Sequence, residues 1–196
     1  MLADAYSKWR ELAPPHERHR MTLEEKLQLV IDKQRIVEMI NEYAFACDSR
    51  QWDVLQELYD ENIERVMSGT LNETVRGRDT LIGLHANPAL PRAEGVEMEK
   101  RDLTKIKGLE IRHLIATQMV RIGNDNRKAW ALCHYQMALV GQTDNVWEHG
   151  LHEGTYLFSF AKADGLWKFT QHLIWTNNAA NPMFGMPKKP APGFNG

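Results

Sequence analysis

Proton transfer near neutral pH falls first to imidazole, the side chain whose charge changes in that range. The chain carries eight histidines. A histidine on a rigid strand can remove a proton and return it, and His113 lies in the strand expected from Ile111 to Ile122. A buried aspartate that accepts from one ring nitrogen fixes the tautomer and stabilises the imidazolium that forms, the logic of a triad without its nucleophile. A tyrosine facing the same space donates to a developing oxyanion or a leaving hydroxyl. Elimination needs a base, such a donor and a dry pocket, and His, Asp and Tyr supply these without a metal. Plain readings stand beside each candidate. Asp48 precedes a short helix and suits its N-cap. Tyr43 lies on an apolar stripe and suits a core tyrosine bonded to backbone. A lone strand histidine suits a satisfied core position.

Other chemistries find less support. His149 and His152 form a His-x-x-His pair beside Glu148 and Glu153, but on a strand start this spacing alone does not make a metal site. No metal is expected. His16 and His19 fall in a basic, solvated stretch, and His85 ends a short helix. There is no Gly-x-Ser-x-Gly, no P-loop and no Gly-x-Gly-x-x-Gly. Cys47 and Cys133 are the two cysteines. They exclude a disulfide framework and a thiolate zinc site and suit a reducing cytosol, so a cytoplasmic location is expected. The net charge of −2 gives no electrostatic case for nucleic acid or an anionic membrane. No apolar run reaches the roughly 18 residues of a membrane span, and the charged N-terminus lacks the apolar stretch of a secretory signal.

The elements that must position these residues follow from patterning. With 196 residues, 43% hydrophobic, the chain can bury one sizeable core. Residues 1–21 read as an N-terminal extension, in which Tyr6, Trp9 and Leu12 suggest a short amphipathic helix ended by Pro14-Pro15. Thr22 and Glu25 have capping-box spacing. From there Leu27, Val30, Ile31, Ile36, Met39, Ile40, Tyr43 and Cys47 form a helical stripe. A short helix through Trp52, Leu55 and Leu58 follows, then strand character from Gly69 to Arg76 and a short helix from Asp79 to Leu84. Residues 86–109 read as a long loop. Strands are predicted over 111–122, 129–140, 154–161 and 166–176, with Asp164-Gly165 as a hairpin turn. His134 and Gln136 share one face of the second of these, Cys133, Tyr135 and Met137 the other; period two does not say which lines the pocket. Residues 181–196 read as an irregular tail.

Helices followed by a run of strands argue for α+β. The expected architecture is a curved antiparallel sheet closed by N-terminal helices around one apolar pocket, in a domain spanning 22–180. These strands carry apolar residues on both faces, so a second subunit is expected to cover the face away from the helices.

The stretch Tyr43-Ala44, Asp48 and Trp52 at the end of the long helix resembles the first signature of the nuclear transport factor 2-like superfamily, Tyr-Ala-x-x-x-Asp-x-x-x-Trp. More narrowly it is similar to the SnoaL-like branch, which includes scytalone dehydratase and bile-acid 7α-dehydratase. Further pieces follow in family order: Gly77 to Ile82, Arg112-His113-Leu114, Gly154-Thr155-Tyr156 and Gly165 to Phe169. The resemblance covers about residues 25–178 and implies a cone-shaped α+β barrel, usually dimeric through its outer sheet face. In dehydratase members a Tyr, an Asp five residues later and a His on the first long strand work together. These positions correspond to Tyr43, Asp48 and His113. Thr117 stands where many relatives have Asn.

What the resemblance implies is a cofactor-independent lyase acting on a cyclic apolar substrate such as a steroid, polyketide or aromatic intermediate. His113 is then the base, Asp48 its orienting charge and Tyr43 the donor, with Thr117, Gln136 and Trp175 as candidate substrate contacts. A ketosteroid-type isomerase and a dehydrohalogenase use the same parts. An epoxide hydrolase of the limonene type needs an Asp-Arg-Asp set with no evident match here. From another class come the β subunit of a ring-hydroxylating dioxygenase, which shares the fold, and a module that holds a hydrophobic ligand. The expected assembly is a homo-oligomer, dimer or trimer.

Overall fold

The computed structural model describes residues 2–13, 21–68, 73–86, 107–143 and 146–176. Helix α1 (Leu2–Leu12) is followed by the 27-residue α2 (Leu23–Ser49) and by α3 (Trp52–Leu58). Strands β1 (Tyr59–Ser68) and β2 (Glu73–Arg76) form a hairpin, and α4 (Arg78–Ala86) leads away from it. Four long strands then run from edge to centre: β3 (Lys107–Ile122), β4 (Lys128–Thr143), β5 (Val146–Ala163) and β6 (Leu166–Thr176). No helix among the described residues is long and apolar enough to cross a membrane.

Helix α2 starts as its sequence dictates. Thr22 accepts from the Glu25 amide at 3.2 Å while Glu25 accepts from the Thr22 amide at 2.7 Å, so two orphan donors are satisfied reciprocally. The face it buries differs from the expected stripe in its first half. Ile36, Met39, Ile40, Tyr43 and Cys47 are buried, but Leu27, Val30 and Ile31 are exposed. Helical phase explains this. Stepping back from Ile36 by four and seven residues reaches Asp32 and Leu29, which are the buried pair. Asp32 is satisfied there by Lys162 Nζ at 2.7 Å, Trp167 Nε1 at 2.8 Å and Gln28 Nε2 at 3.2 Å. Burial alone would push its carboxyl up, but these hydrogen bonds, with one from Asn126, hold it below its usual value.

The sheet has six strands in the order β2-β1-β6-β5-β4-β3. It is mixed, because β1 and β6 pair in parallel while every other pair is antiparallel. Three hairpins reverse β6 relative to β3, which brings it back beside β1 in the same direction. The hydrogen-bonded ladder is open, with β2 and β3 as its edges. Register shifts in β1, between Ala116 and Met119, and between Ser159 and Phe160 bend it. Asp164 and Gly165 take φ of 51° and 80° between paired Ala163 and Leu166, the positive-φ hairpin turn that matches strand twist.

β1 has no counterpart among the expected strands. Its helix-facing positions include Arg65, which is buried beside His172 of β6, and a buried cation breaks the apolar alternation that would have marked the strand. β3 begins at Lys107, inside the expected loop; residues 87–106, Gly69 to Asn72 of the expected earlier strand, and the 181–196 tail lie outside the described residues.

One apolar cluster fills the space between the helices and the sheet. A second lies on the opposite face, where Ala5, Trp9 and Ala13 pack on Leu132 of β4 and Leu157 of β5. The buried stripe of α1 is therefore Ala5 and Trp9, with Tyr6 exposed. Arg121 fastens it by stacking its guanidinium 3.8 Å from the Trp9 ring and donating to the Ala13 carbonyl. The face reserved for a second subunit is thus partly covered by the chain's own first helix.

Candidate active site

The last turn of α2 sets the first functional side chain. Helical geometry continues through Asp48 to Ser49, and Arg50 stops it in the left-handed conformation at φ 59°, its amide donating to the Ala46 and Cys47 carbonyls. Asp48 is therefore not the cap of α3. That position belongs to Gln51, whose side chain makes no cap bond. The Asp48 carboxylate instead reaches β3, 65 residues later. Oδ2 accepts from the His113 amide at 2.8 Å, and Oδ1 lies 2.6 Å from His113 Nδ1. One carboxylate thereby fixes both the backbone and the ring of the same residue. With Nδ1–H donated to the carboxylate, the lone pair of the neutral ring sits on Nε2. The two side chains retain only 8% and 11% exposure, so little water competes with the pair.

Tyr43 lies five residues before Asp48 on the buried face of α2. Its ring meets His113 edge-on, with centroids 6.0 Å apart. Tyr156, Phe158 and His172 surround it in similar edge contacts. Burial pushes its hydroxyl well above the usual phenol value, so at neutral pH it is a donor.

The sheet floor brings in groups that sequence patterning did not place. The register line His113–Met137–His152 crosses β3, β4 and β5 on the helix-facing side. One pleat inward, Tyr135 stacks on Tyr156 at 3.8 Å and 8°. The Tyr135 hydroxyl lies 3.2 Å from Thr176 Oγ1 and 3.3 Å from His152 Nδ1. Burial pushes this phenol up to about 12, against a hydrogen bond from Thr176. Gly154, opposite Tyr135, must be glycine, because a Cβ there would run into the Trp175 carbonyl and press on the Tyr135 ring. His172 is fully buried against Tyr43, Tyr156 and Phe158. Its Nε2 has no hydrogen-bond partner among the described residues, and burial, followed by the nearby Arg65, His85 and His113, holds it well below the usual imidazole value. Sequence alternation did put Tyr135 and Met137 on one face; the choice of face came only from the packing.

The structure places the three candidate substrate contacts as follows. Gln136 alternates with Tyr135 and Met137, so it points to the α1 side of β4. Trp175 packs with the α1 cluster rather than forming a pocket wall, because Ile174 and Thr176 take the inward positions of β6. Thr117 sits at the β3 bulge with φ 53°, exposed, its hydroxyl donating to the Ala116 carbonyl at 2.7 Å. Of the His-x-x-His pair, His152 turns to Tyr135, and the side chain of His149 lies outside the described ones.

Solved structures share this fold. LinA aligns with a TM-score of 0.61 at 17% identity, over 78% of this chain and 90% of that one. A hexachlorocyclohexane dehydrochlorinase aligns at 0.62 and 15% identity, over 80% and 92%. A scytalone dehydratase-like protein from Novosphingobium aromaticivorans aligns at 0.55 and 17% identity, over 83% and 96%. At such identities these likenesses speak to the fold alone. No curated protein matches the chain in sequence. The SnoaL-like domain model matches residues 28–172, nearly three quarters of the chain and everything from the buried half of α2 to His172 of β6. On that match the chain belongs to the SnoaL-like domain family.

Proposed function

We propose that the chain is a lyase working by acid–base chemistry without a cofactor, on a cyclic, largely apolar substrate. In this reading His113 Nε2 removes a proton from carbon, Asp48 orients the ring and stabilises the imidazolium, and Tyr43 donates to the oxygen on which charge develops. The observation that carries it is the double engagement of His113 by one carboxylate, which a mere core histidine does not need. A residue held at both Nδ1 and its own amide has Nε2 as the ring nitrogen left to act, its direction fixed by the fold. The aromatic surround of Tyr43 suits an apolar ring and strengthens each charge interaction by excluding water.

Elimination of a hydrogen halide is the second reading, because two of the similar structures are LinA and a dehydrochlorinase. It uses the same base and differs in its leaving group. The catalytic domain in either reading is 22–180, in a cytosolic homo-oligomer. The test is turnover by His113→Ala against a panel of cyclic hydroxy and halo ketones. A drop of roughly 10²–10⁴ is expected. Undiminished activity in a folded His113→Ala protein removes the reading.

A further inference from the structure

We propose that Tyr135, poised by His152 and Thr176, is the catalytic acid that protonates a leaving hydroxyl, which makes the preferred reaction a dehydration. This deepens the lyase reading and rests on it. His113 and His152 lie on the same face of the sheet with Met137 between them in register. Two strand spacings separate their backbones, about 10 Å, a span commensurate with one substituted six-membered ring. The base therefore stands on one side of such a ring, and the Tyr135 hydroxyl, 3.3 Å from His152 Nδ1, on the other.

Hydrogen-bond capacity allows the phenolic proton to face the substrate. A phenol oxygen accepts up to two hydrogen bonds and donates one. Its two protein partners, Thr176 Oγ1 and His152 Nδ1, can both donate to it. The one phenolic proton is then left for the substrate. The stack on Tyr156 holds the ring in plane, and Gly154, with no Cβ, lets the ring lie close against the backbone of β5. Tyr43 comes from α2 and meets His113 edge-on, whereas Tyr135 belongs to β4, and the two hydroxyls are assigned different oxygens: Tyr43 the developing oxyanion, Tyr135 the leaving group.

The step balances as follows. The C–H bond breaks and its proton goes to His113 Nε2. The freed electron pair forms the C=C bond as the C–O bond breaks. The departing oxygen takes the Tyr135 proton and leaves as water. Tyr135 is reprotonated through His152, whose Nδ1 gives up its proton as Nε2 takes one from solvent, and the His113 imidazolium returns its proton to solvent, so no net proton is consumed. A halide needs no proton to leave, so this device is useful only where hydroxide departs.

The experiment compares 3-hydroxycyclohexanone and 3-chlorocyclohexanone, followed by absorbance of the shared enone product and corrected for spontaneous elimination. In Tyr135→Phe the ratio of kcat/KM for the hydroxy over the chloro ketone falls at least about 100-fold, the scale of general acid catalysis. His113→Ala lowers both together and leaves that ratio in place. A Tyr135→Phe protein whose ratio is unchanged overturns the proposal and leaves His113 as base untouched. A His113→Ala protein with full activity instead overturns the lyase reading. Binding supplies a readout that needs no turnover. The wild-type protein binds 3-hydroxycyclohexanone several-fold tighter than cyclohexanone, and Tyr135→Phe erases the difference, as loss of about one hydrogen bond requires. Equal wild-type affinity for the two ketones also overturns the assignment.

Discussion

At the scale of single residues, the Asp48–His113 contact separates a structural from a chemical role by its additivity. Asp48→Asn keeps the shape but removes the charge that faces the ring at 2.6 Å. Because base and orienter act as a unit, the double variant His113→Ala, Asp48→Asn is expected to be barely slower than the worse single variant, whereas independent residues would multiply. Steady-state kinetics on all three proteins decides this. Tyr43→Phe, which removes a hydroxyl and keeps the ring packing, lowers turnover less. His172 gives a pH prediction. Its folded pKa is held below the unfolded value of about 6.5. Below that pH the unfolded chain takes up a proton that the folded one refuses. Its contribution to stability is therefore complete above about pH 6.5 and declines as pH falls, by up to about 1.4 kcal/mol per pH unit. In urea titrations at pH 5 and pH 7.5, His172→Phe should show a shallower loss than the wild type. An equal slope in both would mean that His172 does not titrate this way.

At the scale of elements, two fastenings carry α2 and α1 onto the sheet. Asp32 ties α2 to the β5–β6 hairpin through Lys162 and Trp167. Asp32→Ala leaves an ammonium and an indole N–H without their acceptor, a loss of about 3 kcal/mol. Thermal unfolding should register it without a change in the chemistry of His113, which sits near the other end of the helix. The α1 fastening is apolar. Trp9→Ala removes a side chain that is 4% exposed together with the stacking partner of Arg121. A cost of about 3 kcal/mol is expected, measured by denaturant midpoint, and accompanied by new exposure of Leu132 and Leu157. If Trp9→Ala is neutral, α1 is not part of the folded core.

At the scale of the whole molecule, the α1 side of the sheet decides assembly. Beyond the part that α1 covers, Leu114 and Leu151 stay exposed at 59% and 44% on that face. Apolar residues exposed on a sheet face favour a second copy. A homo-oligomer burying more than about 1,000 Å² is therefore the expected state. Light scattering at micromolar concentration checks it, and Leu114→Lys is expected to shift the mass toward the monomer. A wild-type monomer would show that α1 is cover enough.

Local chemistry determined much of this. The Thr22–Glu25 box, the Asp164-Gly165 turn and the period-two run of β6 are interactions between near neighbours, so the sequence alone locates them. The link between Asp48 and His113 came from resemblance, since nothing local relates residues 65 positions apart. Three things belonged to the tertiary structure. Alternation in β4 is symmetric between faces, so only packing against α2 could send Tyr135 inward and Gln136 outward. The apolar residues of α2 fall on two sides, and only the phase set by the sheet chose Leu29 and Asp32 over Leu27 and Val30. The strand carrying Arg65 lacks an apolar pattern because its inward position holds a cation, and only pairing with β6 in parallel made it a strand. Periodicity gives the spacing of faces; which face is inside depends on what another part of the chain brings to cover it.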